Sequence, residues 1–180
     1  MIEEILHYNE EFVNGKKYEQ YATSKYPDKH LAILTCMDTR LTTMLPAALG
    51  LKNGDAKIIK NAGGLVISPF DSAMRSLIVA IYELGVKEVM VIAHSGCGAC
   101  HMNGKDMKAL MLGRGISQSQ IDTVEHCGIS LDTWLEGFHD TEDSVRKTVN
   151  TIIHHPLTPS DITVHGFIMD SSTGKLSRVL

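Results

Sequence analysis

Glu88-Val-Met-Val-Ile-Ala93 is apolar at every position after its first residue. A strand with one face in water alternates apolar and polar side chains. A strand without that alternation has to be covered on both faces, which is the condition of a parallel sheet packed between helices. Leu31-Ala-Ile-Leu-Thr-Cys36 is a second run of strand length, and Ala56–Lys60 and Ile162-Thr-Val-His-Gly-Phe-Ile168 are two more. Helical signals fall between them. Thr42 or Thr43 is read as the cap of a helix with Pro46 in its first turn and Gly50 at its end. Asp71 or Ser72 caps another, with Met74, Leu77, Ile78, Ile81 and Leu84 on one face and Gly85 closing it. Asp140–His155 is a third, stopped by Pro156, and a shorter helix is expected near Asp106–Leu112.

Strands alternating with helices define an α/β fold: a mainly parallel four-stranded sheet with helices on both faces. Leu176–Leu180 is expected to add an antiparallel edge strand. The 180 residues suit one domain spanning 1–180. Residues 1–28 form a helical arm: Ile2, Ile5, Leu6, Phe12 and Val13 make an apolar stripe, and Asn14-Gly15 ends it. Lys plus Arg is 17 and Asp plus Glu 21, a net charge of −4. The basic residues are scattered, which argues against nucleic acid as a partner. No apolar run approaches the roughly 20 residues that span a bilayer, so no membrane role is expected. The acidic start, with Glu3, Glu4, Glu10 and Glu11, is unlike a secretory signal, and a cytoplasmic location is expected.

In a reducing compartment, cysteines clustered with histidine favour metal or catalytic use over disulfides. Cys127 is read as a small buried or semi-buried residue, and His101, His126, His139, His154 and His155 as surface or cap residues. Two fragments remain: Cys36-Met-Asp38-Thr-Arg40 and His94-Ser-Gly-Cys97-Gly-Ala-Cys100-His101. Both follow strands, where open α/β sheets gather their ligands. Parallel pairing would bring Cys36, His94 and Cys97 around one point. Two thiolates and an imidazole suit Zn²⁺ and leave a fourth position open, as catalytic zinc sites do. Three other readings use the same residues. Cys97-Gly-Ala-Cys100-His101 matches the C-x-x-C-H haem-attachment pattern. Cys97 and Cys100 could be a redox dithiol. Cys36, His94, Cys97 and Cys100 could close a structural zinc. The last two leave Asp38 and Arg40 without a role.

Cys36-x-Asp38-x-Arg40, Asn61-Ala-Gly63, Arg75-Ser-Leu77 and His94-x-x-Cys97-Gly98, in that order, resemble the β-class carbonic anhydrases, above all their short bacterial and archaeal branch. The resemblance implies Zn²⁺ on Cys36, His94 and Cys97, with Asp38 beside the open position and Arg40 paired with it. It implies that Asp38 can also swing onto the metal as a fourth ligand in a closed, inactive state. It implies reversible hydration of carbon dioxide to bicarbonate by zinc-bound hydroxide. It further implies that the N-terminal helix packs on a partner subunit, giving a homodimer or a dimer of dimers. Val66, Ile67 and Phe70 are expected to offer carbon dioxide an apolar wall, and Gly63 and Gly64 to present backbone N–H groups to an anion. Two departures stand out. Leu65–Phe70 is a few residues longer than the common family form, and Cys100 and His101 replace the glycine or apolar residues usual after His-x-x-Cys-Gly. The alternatives are a related zinc lyase or hydrolase acting on a small molecule such as CS₂, or a zinc-stabilised interaction protein without turnover.

Overall fold

In the computed structural model, which describes residues 1–180, the apolar runs become β1 (Leu31–Cys36), β2 (Ala56–Asn61), β3 (Glu88–His94) and β4 (Thr163–Met169). They pair in parallel in the order β2-β1-β3-β4, and β5 (Leu176–Arg178) closes the edge antiparallel to β4. This is the expected mainly parallel sheet with one antiparallel edge strand.

Both faces of the central strands are covered, as their sequences require. Ala32 and Leu34 of β1 and Val89, Val91 and Ala93 of β3 face one core, shared with α3 (Ser72–Tyr82) and α7 (Thr141–Ile153). Ile33 and Ile92 face the other, where α2 (Leu41–Ala48) contributes Leu41 and Leu45. Ile33, Leu34, Val89, Val91 and Ile92 have no exposed surface at all.

Two helices begin where an aspartate supplies the cap. Asp71 Oδ1 accepts the Met74 N–H at 2.8 Å ahead of α3, and Asp140 Oδ1 accepts the Asp143 N–H at 2.7 Å ahead of α7. At α2 the expected threonine cap is replaced. Asp38 Oδ1 accepts the Arg40 N–H at 2.9 Å, so the chain turns into the helix before Thr42, and Pro46 lies inside the helix rather than in its first turn. The stretch after β3 holds three helices, α4 (Gly104–Gly113), α5 (Gln118–His126) and α6 (Leu131–Trp134). Only the first has a clear sequence signal. α5 carries a single buried residue, Ile121, so no apolar periodicity announces it; its mark is the capping box of Ser117 and Gln120. Cys127 corrects its sequence reading: it is exposed, at the C-terminal end of α5.

The N-terminal helix α1 (Ile2–Asn14) forms as its stripe predicts but buries no residue in the chain. Ile2, Ile5, Leu6 and Val13 are all more than half exposed.

Candidate metal centre

Cys36 is the last residue of β1 and His94 the last of β3. The two strands are parallel neighbours, with Thr35 opposite Ile92, so both side chains arrive at the same rim of the sheet. Cys97 follows in the turn after β3, which Gly96 makes possible by adopting φ +62. The donor atoms of Cys36, His94 and Cys97 lie within 4.8 Å of one another, and all three residues are buried. The two sulfurs are 3.8 Å apart. These are the three residues singled out from the sequence.

The loop Asn61-Ala-Gly-Gly64 holds the end of β1 in place. Asn61 bonds Leu65 in both directions, donating to its carbonyl at 2.7 Å and accepting its N–H at 3.0 Å. The Asn61 carbonyl accepts the Met37 N–H at 2.9 Å. Gly64 has φ +68, and a Cβ there would stand 2.8 Å from the backbone nitrogen of Cys36. Only glycine allows this approach.

The imidazole of His94 has no exposed surface. Its Nδ1 lies 3.0 Å from the Ser95 carbonyl oxygen. A carbonyl only accepts, so Nδ1 carries the proton and Nε2 a bare lone pair. That Nε2 is buried without any partner in the chain. A bare imidazole nitrogen, out of water and beside two thiols, is a donor set that a borderline-soft cation completes, and the residues present fit Zn²⁺. Burial pushes the Cys97 thiol up to about 11, with Cys36 adding to the rise. At neutral pH this sulfur therefore holds its proton until a cation displaces it. Below that value the apparent metal affinity should fall by at least about tenfold per unit of pH lost, since loading releases the Cys97 proton. Competition with a chromophoric chelator between pH 6 and 9 measures this; a flat profile would contradict the assignment of Cys97 as a ligand.

Asp38 and Arg40 form a bidentate pair next to the cluster. Arg40 Nε donates to Asp38 Oδ1 at 2.9 Å and Nη2 to Oδ2 at 2.8 Å. Asp38 Oδ2 is also 3.8 Å from His94 Nε2. The Arg40 guanidinium holds the Asp38 carboxyl well below the usual carboxylate range. Because the folded value lies below the unfolded one of about 3.9, the pair's contribution to stability is fully present above that pH. It is lost only as pH falls toward the folded value. Asp38 is thus an anion throughout the neutral range.

Gly96 and Ser171 hold Arg40, with Ser95 behind Ser171; Ser95 and Gly96 lie inside the second motif without an assigned role there, and Ser171 lies outside both motifs. Arg40 Nη2 donates to the Gly96 carbonyl at 2.8 Å, and Nη1 to Ser171 Oγ at 3.2 Å. Ser171 Oγ donates in turn to the Ser95 carbonyl at 2.9 Å, the group that also orients His94. Ser171 lies in a segment legible only as a turn. Its proximity follows from the pairing of His94 with Met169, which brings the turn after β4 beside the turn after β3.

Cys100 is not among the clustered donors. Its Sγ donates to the His139 carbonyl at 3.8 Å, and His101 is exposed with its ring 5.9 Å from that of His139. The four-ligand structural site and the haem pattern therefore find no support in the geometry. Val66 and Phe70 do not form one wall. Val66 is buried in the core against the sheet and also borders a cavity beside α7. Phe70 is 81% exposed and stands at a different cavity, against His155.

A model of the carbonic anhydrase family matches residues 31–176. The chain belongs to the β-class carbonic anhydrases. It is 50% identical over 176 residues to YvdA of Bacillus subtilis (strain 168), which carries carbonic anhydrase as a provisional name; the match covers 98% of this chain and 89% of that protein. The crystal structure of β-carbonic anhydrase isoform I from Trichomonas vaginalis superposes with a TM-score of 0.91 at 34% identity, covering 100% of this chain and 97% of the other. The chain is also 30% identical over 179 residues to the carbon disulfide hydrolase of Saccharolobus solfataricus, covering 91% of this chain and 85% of that one. Within this β-class carbonic anhydrase chain, the buried Cys-His-Cys cluster is a site for a single Zn²⁺ ion.

Proposed function

We propose that the protein catalyses the reversible hydration of carbon dioxide to bicarbonate at Zn²⁺ held by Cys36, His94 and Cys97. The observation that carries this reading is the buried, partnerless His94 Nε2 beside two thiols, with an ionised carboxylate next to it. When bound, Zn²⁺ acidifies a water ligand from a pKa near 15.7 to the range of about 7–9. The two thiolates of Cys36 and Cys97 neutralise the ion more than imidazoles would, so activity is expected to rise toward alkaline pH.

Asp38 acts as an acceptor. With Oδ1 and Oδ2 locked on Arg40, its charge is fixed and its orientation set. Oδ2, on the side of His94, accepts a hydrogen bond from the attacking water and so aims a lone pair at the carbon of carbon dioxide. Arg40, itself held by Gly96 and Ser171, keeps Asp38 ionised and off the metal. The closed state, with Asp38 as a fourth ligand, requires this fork to break. The reaction yields bicarbonate and one proton, which passes to solvent buffer. Gly64 serves by letting the loop approach the Cys36 backbone; an anion seat on the N–H groups of Gly63 and Gly64 and an apolar wall at Val66 remain part of the proposal.

The resemblance to a carbon disulfide hydrolase favours a second reading, in which CS₂ takes the place of carbon dioxide. We further propose a homodimer, or a dimer of dimers, in which the unburied stripe of α1 packs on a second copy. No helix is long and apolar enough to cross a membrane. Four free thiols, two of them metal ligands, suit the reducing cytoplasm.

Stopped-flow hydration of carbon dioxide against pH, with zinc content and CS₂ hydrolysis measured on the same sample, tests the reading. Turnover proportional to zinc and growing toward alkaline pH is expected. A zinc-replete protein that hydrolyses only CS₂ would establish the second reading, and one that turns over neither would leave a zinc-stabilised interaction protein.

A further inference from the structure

His155 is a second buried imidazole, 5% exposed, and it takes no part in the metal centre. It lies just past the end of α7, where a surface or capping role was expected; its burial corrects that expectation. The Leu157 N–H donates to its Nδ1 at 3.2 Å. A ring nitrogen that accepts is bare, so the ring proton resides on Nε2. That Nε2 is buried and has no acceptor in the chain. A donor cut off from water and left unpaired raises the free energy of the fold, and native structures rarely leave one without a use.

The imidazole lines a cavity of about 250 Å³ together with Met74, Ile78 and Leu157, and Arg75 stands at the same cavity. Arg75 is exposed and has no carboxylate within ion-pair distance, unlike Arg40 and Arg146. Phe70 borders this cavity too, 81% exposed, its ring 5.4 Å from the imidazole and steeply inclined to it. One neutral N–H donor, one unpaired guanidinium and three apolar side chains define the ligand they fit. It carries a single negative charge and two acceptor oxygens, and it has an apolar body. A dianion such as phosphate would bring more charge and more hydration than one guanidinium and an apolar wall can replace.

We propose that this cavity binds a small monocarboxylate, with its oxygens on His155 Nε2–H and the Arg75 guanidinium and its body against Met74, Ile78 and Leu157. Phe70 turns aside to admit it. Its ring is almost wholly in solvent, so the movement leaves the core intact.

Benzoate is the probe, titrated into the zinc-loaded full-length protein while the histidine ring nitrogens are followed by ¹⁵N NMR. The His155 resonances should start as the Nε2–H tautomer and shift to saturation. Arg75→Gln and His155→Phe should each weaken binding by at least about tenfold, the loss of one charge-assisted hydrogen bond, with zinc content and carbon dioxide hydration unchanged. Arg75 is exposed, so its variant reads binding even if His155→Phe disturbs the end of α7. The proposal is overturned if benzoate shifts His94 and not His155, if it fails to saturate, or if both variants bind as the parent does.

Discussion

Cys36→Ser and His94→Ala should each be purified without stoichiometric zinc and without measurable hydration of carbon dioxide. Each removes one of three donors whose atoms already sit within 4.8 Å. Loss of an outer-shell partner alone typically costs roughly 10–100-fold in affinity or activity, and loss of a ligand should exceed that. His94→Ala also removes the orphaned Nε2 and opens a cavity in a site with no exposed surface. Cys36→Ser is therefore the cleaner variant, since it preserves volume while exchanging a thiolate for a hydroxyl that holds its proton. Metal analysis of the purified proteins reads the result. Full zinc occupancy in both would remove the proposed ligand set.

Asp38→Ala has the opposite signature. Asp38 is not among the clustered donors, so zinc content should stay near that of the parent. Turnover should fall by roughly 10²–10⁴-fold, the range for a positioned proton acceptor. The pH profile separates this from a general loss of folding. Arg40 holds the Asp38 carboxyl far below the working range, so Asp38 does not titrate between pH 5 and 9. The alkaline rise should persist in the residual activity, at the same midpoint. Near-parental turnover would refute the role given to Asp38. The variant also leaves Arg40 with Gly96 and Ser171 as its remaining partners, so Arg40 should stay in place.

The strands and the metal ligands were legible in the sequence for one physical reason. The central strands of a parallel sheet, buried on both faces, demand apolar runs, and two of these ended at Cys36 and His94, where the chain must turn and where polar chemistry can surface. The three-residue donor set followed from placing two such ends side by side. Features that depend on tertiary contact were not legible. α5 presents one buried residue to the rest of the chain, so its pattern is set by solvent. The support of Arg40 by Ser171 depends on β3 and β4 being neighbours, which sequence spacing does not state. Phe70 was expected in a pocket wall because the apolar segment Leu65–Phe70 follows the strand end that borders the site, yet the chain turns at Ser68–Asp71 and carries the ring out to His155. Cys127 looked buried because free cysteines usually are; a helix end with little core beneath it leaves it exposed.

The zinc K-edge X-ray absorption spectrum of the loaded protein at alkaline pH bears most directly on the metal centre. Two sulfur and two lighter scatterers around each zinc, unchanged in Cys100→Ser, are the predicted result. A third sulfur in the first shell, or a spectrum that Cys100→Ser alters, would contradict it.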